Sequence, residues 1–134
     1  MTTHRISVRL AALALVAAAA LGACGGDDSS LSPLAEEGRS IYLTNGCGAC
    51  HGTEGQGGVG PAFVGLAGRT VYLDDGTTVI ADRDYIIESI RDPEAKRPAG
   101  FQMAMPTGLL SDEQIDKLIA YIDELSPPPA ADAP

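Results

Sequence analysis

Asn45 to Gly60 reads NGCGACHGTEGQGGVG, and it contains two patterns that point to different chemistry. Cys47-Gly-Ala-Cys50-His51 sets two thiols three residues apart, with an imidazole directly after the second. Gly55-Gln-Gly57-Gly-Val-Gly60 satisfies G-x-G-x-x-G, which cradles a dinucleotide only where it follows a strand and opens a helix. The glycine pattern fails on that context. The segment before it is helical in pattern, and Pro61 follows Gly60 directly.

C-x-x-C-H is the attachment pattern of a c-type haem. Two cysteines at this spacing lie on one turn, so each can form a thioether to a vinyl group on the same side of the porphyrin. The next residue, His51, then lies under the iron as an axial ligand. Two rivals fail. A zinc site needs four donors, but the only other histidine is His4 and the only other cysteine is the distant Cys24. A thioredoxin-like redox pair follows a strand of a βαβ unit, and no parallel sheet is expected here. The Gly-rich run after His51 is then expected to be a flexible loop crossing the haem edge.

An iron held by His51 needs a sixth ligand or keeps an open position. Leaving aside the first 24 residues, the remaining soft donors are Met103 and Met105, both in AGFQMAMPTG. Positions two apart in an extended chain face the same side, so spacing leaves the choice open. Gap-filling in a core is the commoner use of methionine and is expected for one of the two. His/Met ligation predicts a relatively high potential and fills the iron, which favours electron transfer over catalysis.

Outward from the motif, the ends read differently from the middle. Arg5 and Arg9 precede an apolar run from Leu10 to Ala23, too short for a bilayer-spanning helix, which needs about 20 residues. Residues 1–23 therefore read as a signal peptide. Leu21-Gly22-Ala23-Cys24 resembles a bacterial lipobox, so Cys24 is expected to be acylated and to begin the mature chain. Residues 24–33 read as a flexible tether, and 126–134 as a disordered Pro/Ala-rich tail. Cleavage before Cys24 leaves 7 basic against 18 acidic residues, a net of −11. That excludes nucleic acid as a partner and repels anionic headgroups, so membrane contact would come through the acyl chains. A basic face is expected on any docking partner.

The folded core is placed at 34–125. With two Phe, four Tyr and no Trp it is poor in aromatic bulk, which a haem would supply. A first helix is expected from Ser32-Pro33 to about Thr44, with Leu34, Ile41 and Leu43 on its apolar side. A middle helix opens at Asp82, carries Ile86, Ile87 and Ile90, and stops at Asp92 before Pro93. Ser111-Asp-Glu-Gln114 is a capping box ahead of Ile115, Leu118, Ile119, Ile122 and Leu125 at helical spacing. TVYLDDGTTVI, from Thr70 to Ile80, reads as a short hairpin. Tyr72, Phe101 and Ile86 are assigned to the pocket or core. Arg91, Lys96 and Arg97 read as a solvated face rather than a docking patch. Asp74, Asp75, Asp82 and Asp84 read as turn and cap residues rather than calcium ligands.

Together these features resemble a class I cytochrome c, in the order helix, C-x-x-C-H, loop, Met, helix. The resemblance implies an all-α fold, three to four helices around one covalent haem c, with a short β-hairpin insertion. GPAFVGLAGR, Gly60 to Arg69, is similar to the family segment whose Pro carbonyl accepts a hydrogen bond from the axial histidine. Pro61 takes that role, Arg69 lies near a haem propionate, and Leu66 and Phe101 line the pocket. Gly38 and Tyr42 match the family's glycine–aromatic pair, which packs on an aromatic of the last helix, here Tyr121. The stretch from Gly65 to Gly108 is similar along its length to the cytochrome c domain fused to subunit II of caa3-type oxidases. The family's ligand precedes a proline, which assigns Met105, with Met103 as fallback. No copper domain or transmembrane hairpin precedes it here, so a free-standing lipoprotein is expected.

The implied function is a monomeric single-electron carrier, exported and lipid-anchored on the periplasmic or outer side of the membrane. Its haem edge would lie near Cys47 and Cys50. Its partners would be membrane redox complexes, with a terminal oxidase as acceptor. The alternatives are a haem peroxidase or gas sensor with a labile Met, and a fixed accessory haem subunit of an oxidase.

Overall fold

In the computed structural model, residues 31–126 are described. The expected signal peptide, Cys24, most of the expected tether and all but the first residue of the expected tail lie outside them. The elements are α1 (Pro33–Thr44), α2 (Gly48–His51), β1 (Thr70–Tyr72), β2 (Thr78–Ile80), α3 (Arg83–Arg91) and α4 (Asp112–Glu124). Among the described residues no helix is long and apolar enough to cross a membrane.

Side chains close the helix ends where orphan N–H groups need them. The Ser32 hydroxyl accepts from the Ala35 N–H, and the Asp82 carboxylate accepts from the Tyr85 N–H at 2.8 Å. Ser111 and Gln114 form both halves of a capping box. Each start falls where the sequence places it. The apolar side of α1 does not. Leu34 and Leu43 are 49% and 46% exposed, and the buried stripe is Ala35, Gly38 and Tyr42. Those positions share one helix face at i, i+3 and i+7, but a glycine and a tyrosine do not register in a search for aliphatic residues.

That stripe sets the main helix crossing. A Cβ on Gly38 would stand 2.0 Å from the Lys117 carbonyl oxygen, so α1 and α4 touch backbone to backbone there. Tyr42 on one side and Leu118, Tyr121 and Ile122 on the other fill the crossing, all within 2% of full burial. The Lys117 ammonium bridges Glu37 of α1 and Glu113 of α4, each at 2.8 Å.

β1 and β2 pair antiparallel, Thr70 opposite Ile80 and Tyr72 opposite Thr78. The Gly76 N–H donates to the Leu73 carbonyl at 3.1 Å, and Gly76 has φ +84°, which only glycine adopts cheaply. The sheet is clamped to the next loop through a bond from the Ala99 N–H to the Tyr72 carbonyl, at 2.9 Å.

The folded part reaches slightly past 34–125. Leu31 packs on the core, and the Ser126 hydroxyl accepts from the Ala67 N–H at 3.0 Å. Arg91, Lys96 and Arg97 are each paired with a carboxylate, respectively Asp112, Glu88 and Asp74. Such exposed pairs are worth at most about 1 kcal/mol each. Asp75 accepts from Thr77 within the turn, and no cluster of three metal-binding side chains occurs among the described residues.

Candidate functional site

The chain leaves α1 through Asn45 and Gly46 (φ +74°) and winds at once into the single turn of α2. That turn puts Cys47, Cys50 and His51 on one wall of a cavity of about 640 Å³. The volume lies in the range of cofactor sites. Leu66, Val71, Ile86, Ile115 and Leu118 make the interior of the cavity apolar. Burial pushes the Cys47 thiol above its ordinary value.

His51 is buried, and its Nδ1–H donates to the Pro61 carbonyl at 2.7 Å. A carbonyl can only accept, so the proton is on Nδ1 and Nε2 keeps its lone pair. Burial holds the imidazole below its usual basicity, opposed in part by the Pro61 bond. The side chain is therefore a neutral nitrogen donor at neutral pH, with fixed tautomer and orientation.

With Pro61, two further neighbours, Phe63 and Gly60, hold the ring. The Phe63 ring lies 4.4 Å from it, centroid to centroid, tilted by 33°. Phe63 in turn meets Tyr42 edge-on at 5.5 Å, and Tyr42 meets Tyr121 at 5.6 Å. The Tyr42 hydroxyl donates to the carbonyl of Gly52, the residue after His51. Burial pushes that phenol up to about 12, so it stays a donor. The third neighbour is Gly60, where a Cβ would stand 3.0 Å from His51 Cε1.

The glycines that mimic a dinucleotide loop thus serve His51 itself. The Gly57 N–H donates to the His51 carbonyl at 2.7 Å and the Gly60 N–H to the Cys50 carbonyl at 2.9 Å. A Cβ at Gly58 would meet the Cys50 carbonyl oxygen at 2.8 Å. Phe63 and Gly60 escape a reading based on periodicity because they sit in a loop. The signal available was Phe63 itself, one of only two Phe in the chain, two residues after Pro61.

Phe101, Met103 and Met105 line the same cavity from the segment between α3 and α4. Met105 is half-buried, while Met103 is 64% exposed. Arg69 lies at the cavity, exposed, and among the described residues it has no carboxylate partner, unlike Arg39, Arg83, Arg91, Lys96, Arg97 and Lys117. Tyr72 also borders the cavity but is 70% exposed, so it lies at the rim and not in the core. The structure therefore brings every sequence-selected site residue within the described range to one cavity. Its donor set fits a haem c: two thiols on one turn, an oriented imidazole with an available Nε2, and thioethers from another segment.

The Cytochrome c family model matches residues 35–126, most of the chain. The chain is also similar to cytochrome c oxidase subunit 2 of Alkalihalophilus pseudofirmus, 33% identical over 94 residues. That match covers 69% of this chain and 26% of the relative, so the chain spans about a quarter of the relative's length.

Proposed function

The chain belongs to the cytochrome c family, whose members bind haem c covalently and transfer electrons, and on that premise we propose a His/Met-ligated single-electron carrier. Cys47 and Cys50 would hold the porphyrin through thioethers, and His51 Nε2 and the Met105 sulfur would hold its iron. Bound there, the haem supplies a one-electron Fe(III)/Fe(II) couple. The observation that carries this reading is the Nδ1–H bond from His51 to Pro61, which aims a neutral Nε2 from the wall that bears both thiols.

The protein's own residues then do three things. Phe63, Gly60 and Pro61 fix the imidazole, so little moves when the charge changes. The apolar wall of Leu66, Ile86, Ile115 and Leu118 excludes water and disfavours the extra ferric charge. Arg69, unpaired among the described residues, would offer its charge to a haem propionate, and Phe101 lines the pocket with the methionines.

The likeness to an oxidase subunit supports a membrane respiratory complex as partner, with a terminal oxidase as acceptor. Cys24 supplies the lipid anchor after removal of residues 1–23. The anchor holds the domain on the outer side of the membrane and raises its effective concentration beside the acceptor. Stopped-flow mixing of the reduced holoprotein with oxidase-containing membranes tests the role. Rapid single-electron re-oxidation, blocked by an oxidase inhibitor, is expected; no reaction at any protein concentration refutes the partner. The anchor is tested by Cys24→Ser, which should move the protein from the membrane to the soluble fraction.

A further inference from the structure

We propose that Met103 is a second axial ligand, able to replace Met105 at the same iron. The inference rests on the His51/Met105 reading and extends it. Two thioethers two residues apart line one cavity, and the ordinary alternative for the spare one is core filling. Met103 is 64% exposed and lies outside the cluster of core residues, at the rim of the cavity.

The backbone around it permits the exchange. Before it, the chain is anchored by the Ala99 N–H to the Tyr72 carbonyl at 2.9 Å, then by a long contact from the Phe101 N–H to Pro98 at 3.4 Å. After it, the next anchor is the Ser111 N–H, which donates to Gln114 Oε1 at 2.9 Å. Among the described residues, no hydrogen bond joins any residue from Gln102 to Leu110 to the rest of the chain or to one another. Gly100 (φ +88°) and Gly108 (φ +72°) lie on either side, so the segment can shift without breaking a ladder. Met103 sits at a bend of this segment, both methionines line the cavity, and a two-residue shift of chain is about 7 Å. Three rotatable bonds in the methionine side chain cover part of that distance.

The two sulfurs are not equivalent. Pro106 restricts Met105 to extended backbone, so Met105 is preorganised, whereas Gln102 and Ala104 impose no such limit on Met103. Met105 is the resting ligand and Met103 the reserve. The consequence is protective: loss of the Met105 thioether, for example by oxidation to the sulfoxide, leaves the iron six-coordinate instead of open.

The test compares haem-loaded wild type, Met103→Leu, Met105→Leu and the double variant, by ferric absorption and by carbon monoxide binding after reduction. Leucine keeps the bulk, and the double variant shows whether covalently loaded protein folds without either thioether. The expected result is a far-red sulfur-to-iron band in wild type and in both single variants. That band is lost only in the double variant, whose reduced form binds carbon monoxide. If Met105→Leu alone loses the band and binds carbon monoxide while Met103→Leu does not, the exchange is refuted and Met105 stands as sole ligand. If Met103→Leu alone loses the band, the assignment of Met105 itself is wrong.

Discussion

Replacing Gly38 with alanine should loosen the crossing on which the site is built. The added Cβ would lie 2.0 Å from the Lys117 carbonyl oxygen, 2.7 Å from its carbon and 2.9 Å from Tyr121 Cβ. Two of these atoms are backbone of α4 and cannot swing aside, so the helices must separate by roughly 1.5 Å to reach ordinary contact near 3.5 Å. Overpacking of this kind costs about 1–3 kcal/mol, and a gap of 0.5–1 Å already forfeits a quarter to a half of each dispersion contact along the seam. Alanine's better helix propensity returns about 1 kcal/mol. With the lost dispersion contacts included, the net expectation is a loss of about 1–2 kcal/mol, which lowers the melting temperature of a domain this size by roughly 4–16 °C. Far-UV circular dichroism of the haem-loaded protein measures this, with Ser40→Ala as control. Ser40 is exposed on the same helix, so that change adds propensity without a clash. A Gly38→Ala protein that melts within a degree or two of wild type, or above it, would show that α1 and α4 do not touch there.

Phe63→Ala removes the ring stacked on His51 and should cost about 3–5 kcal/mol by guanidinium unfolding. Its haem should also show a broadened, heterogeneous spectrum, and a sharp native spectrum would remove Phe63 from the site. Tyr42→Phe keeps the ring packing but strands the Gly52 carbonyl, for an expected loss of about 1–3 kcal/mol. Equal stability would mean that water replaces the hydroxyl. The Asp75 carboxyl is held below the usual range by bonds from the Thr77 hydroxyl and N–H. Its contribution is therefore present above the unfolded value, near pH 4, and fades as pH falls through the folded one. Asp75→Asn should flatten the stability profile below about pH 5, and an unchanged slope would contradict the turn assignment.

Helix starts were legible because caps are local chemistry: Ser32, Asp82 and Ser111 each bond a residue three positions on. The hairpin was legible for the same reason, through Gly76 and its β-branched flanks. The buried face of α1 was not, because Gly38 is buried for what it lacks, and only the partner helix gives that absence meaning. Cys47, Cys50 and His51 were readable as a contiguous motif. Phe63 and Gly60 were not, since their contacts with His51 depend on a loop path fixed by Gly55, Gly57 and Pro61. The methionines were readable as donors by elimination, yet their unequal exposure is a property of the folded segment alone.

The most direct test of the account is the ferric absorption spectrum of the purified holoprotein, with carbon monoxide added after reduction. Axial ligation by the His51 nitrogen and a methionine sulfur predicts a low-spin spectrum with a weak far-red band, unchanged by the gas. A high-spin spectrum, or rapid carbon monoxide binding by the wild-type protein, would mean an open iron and would contradict the electron-carrier reading.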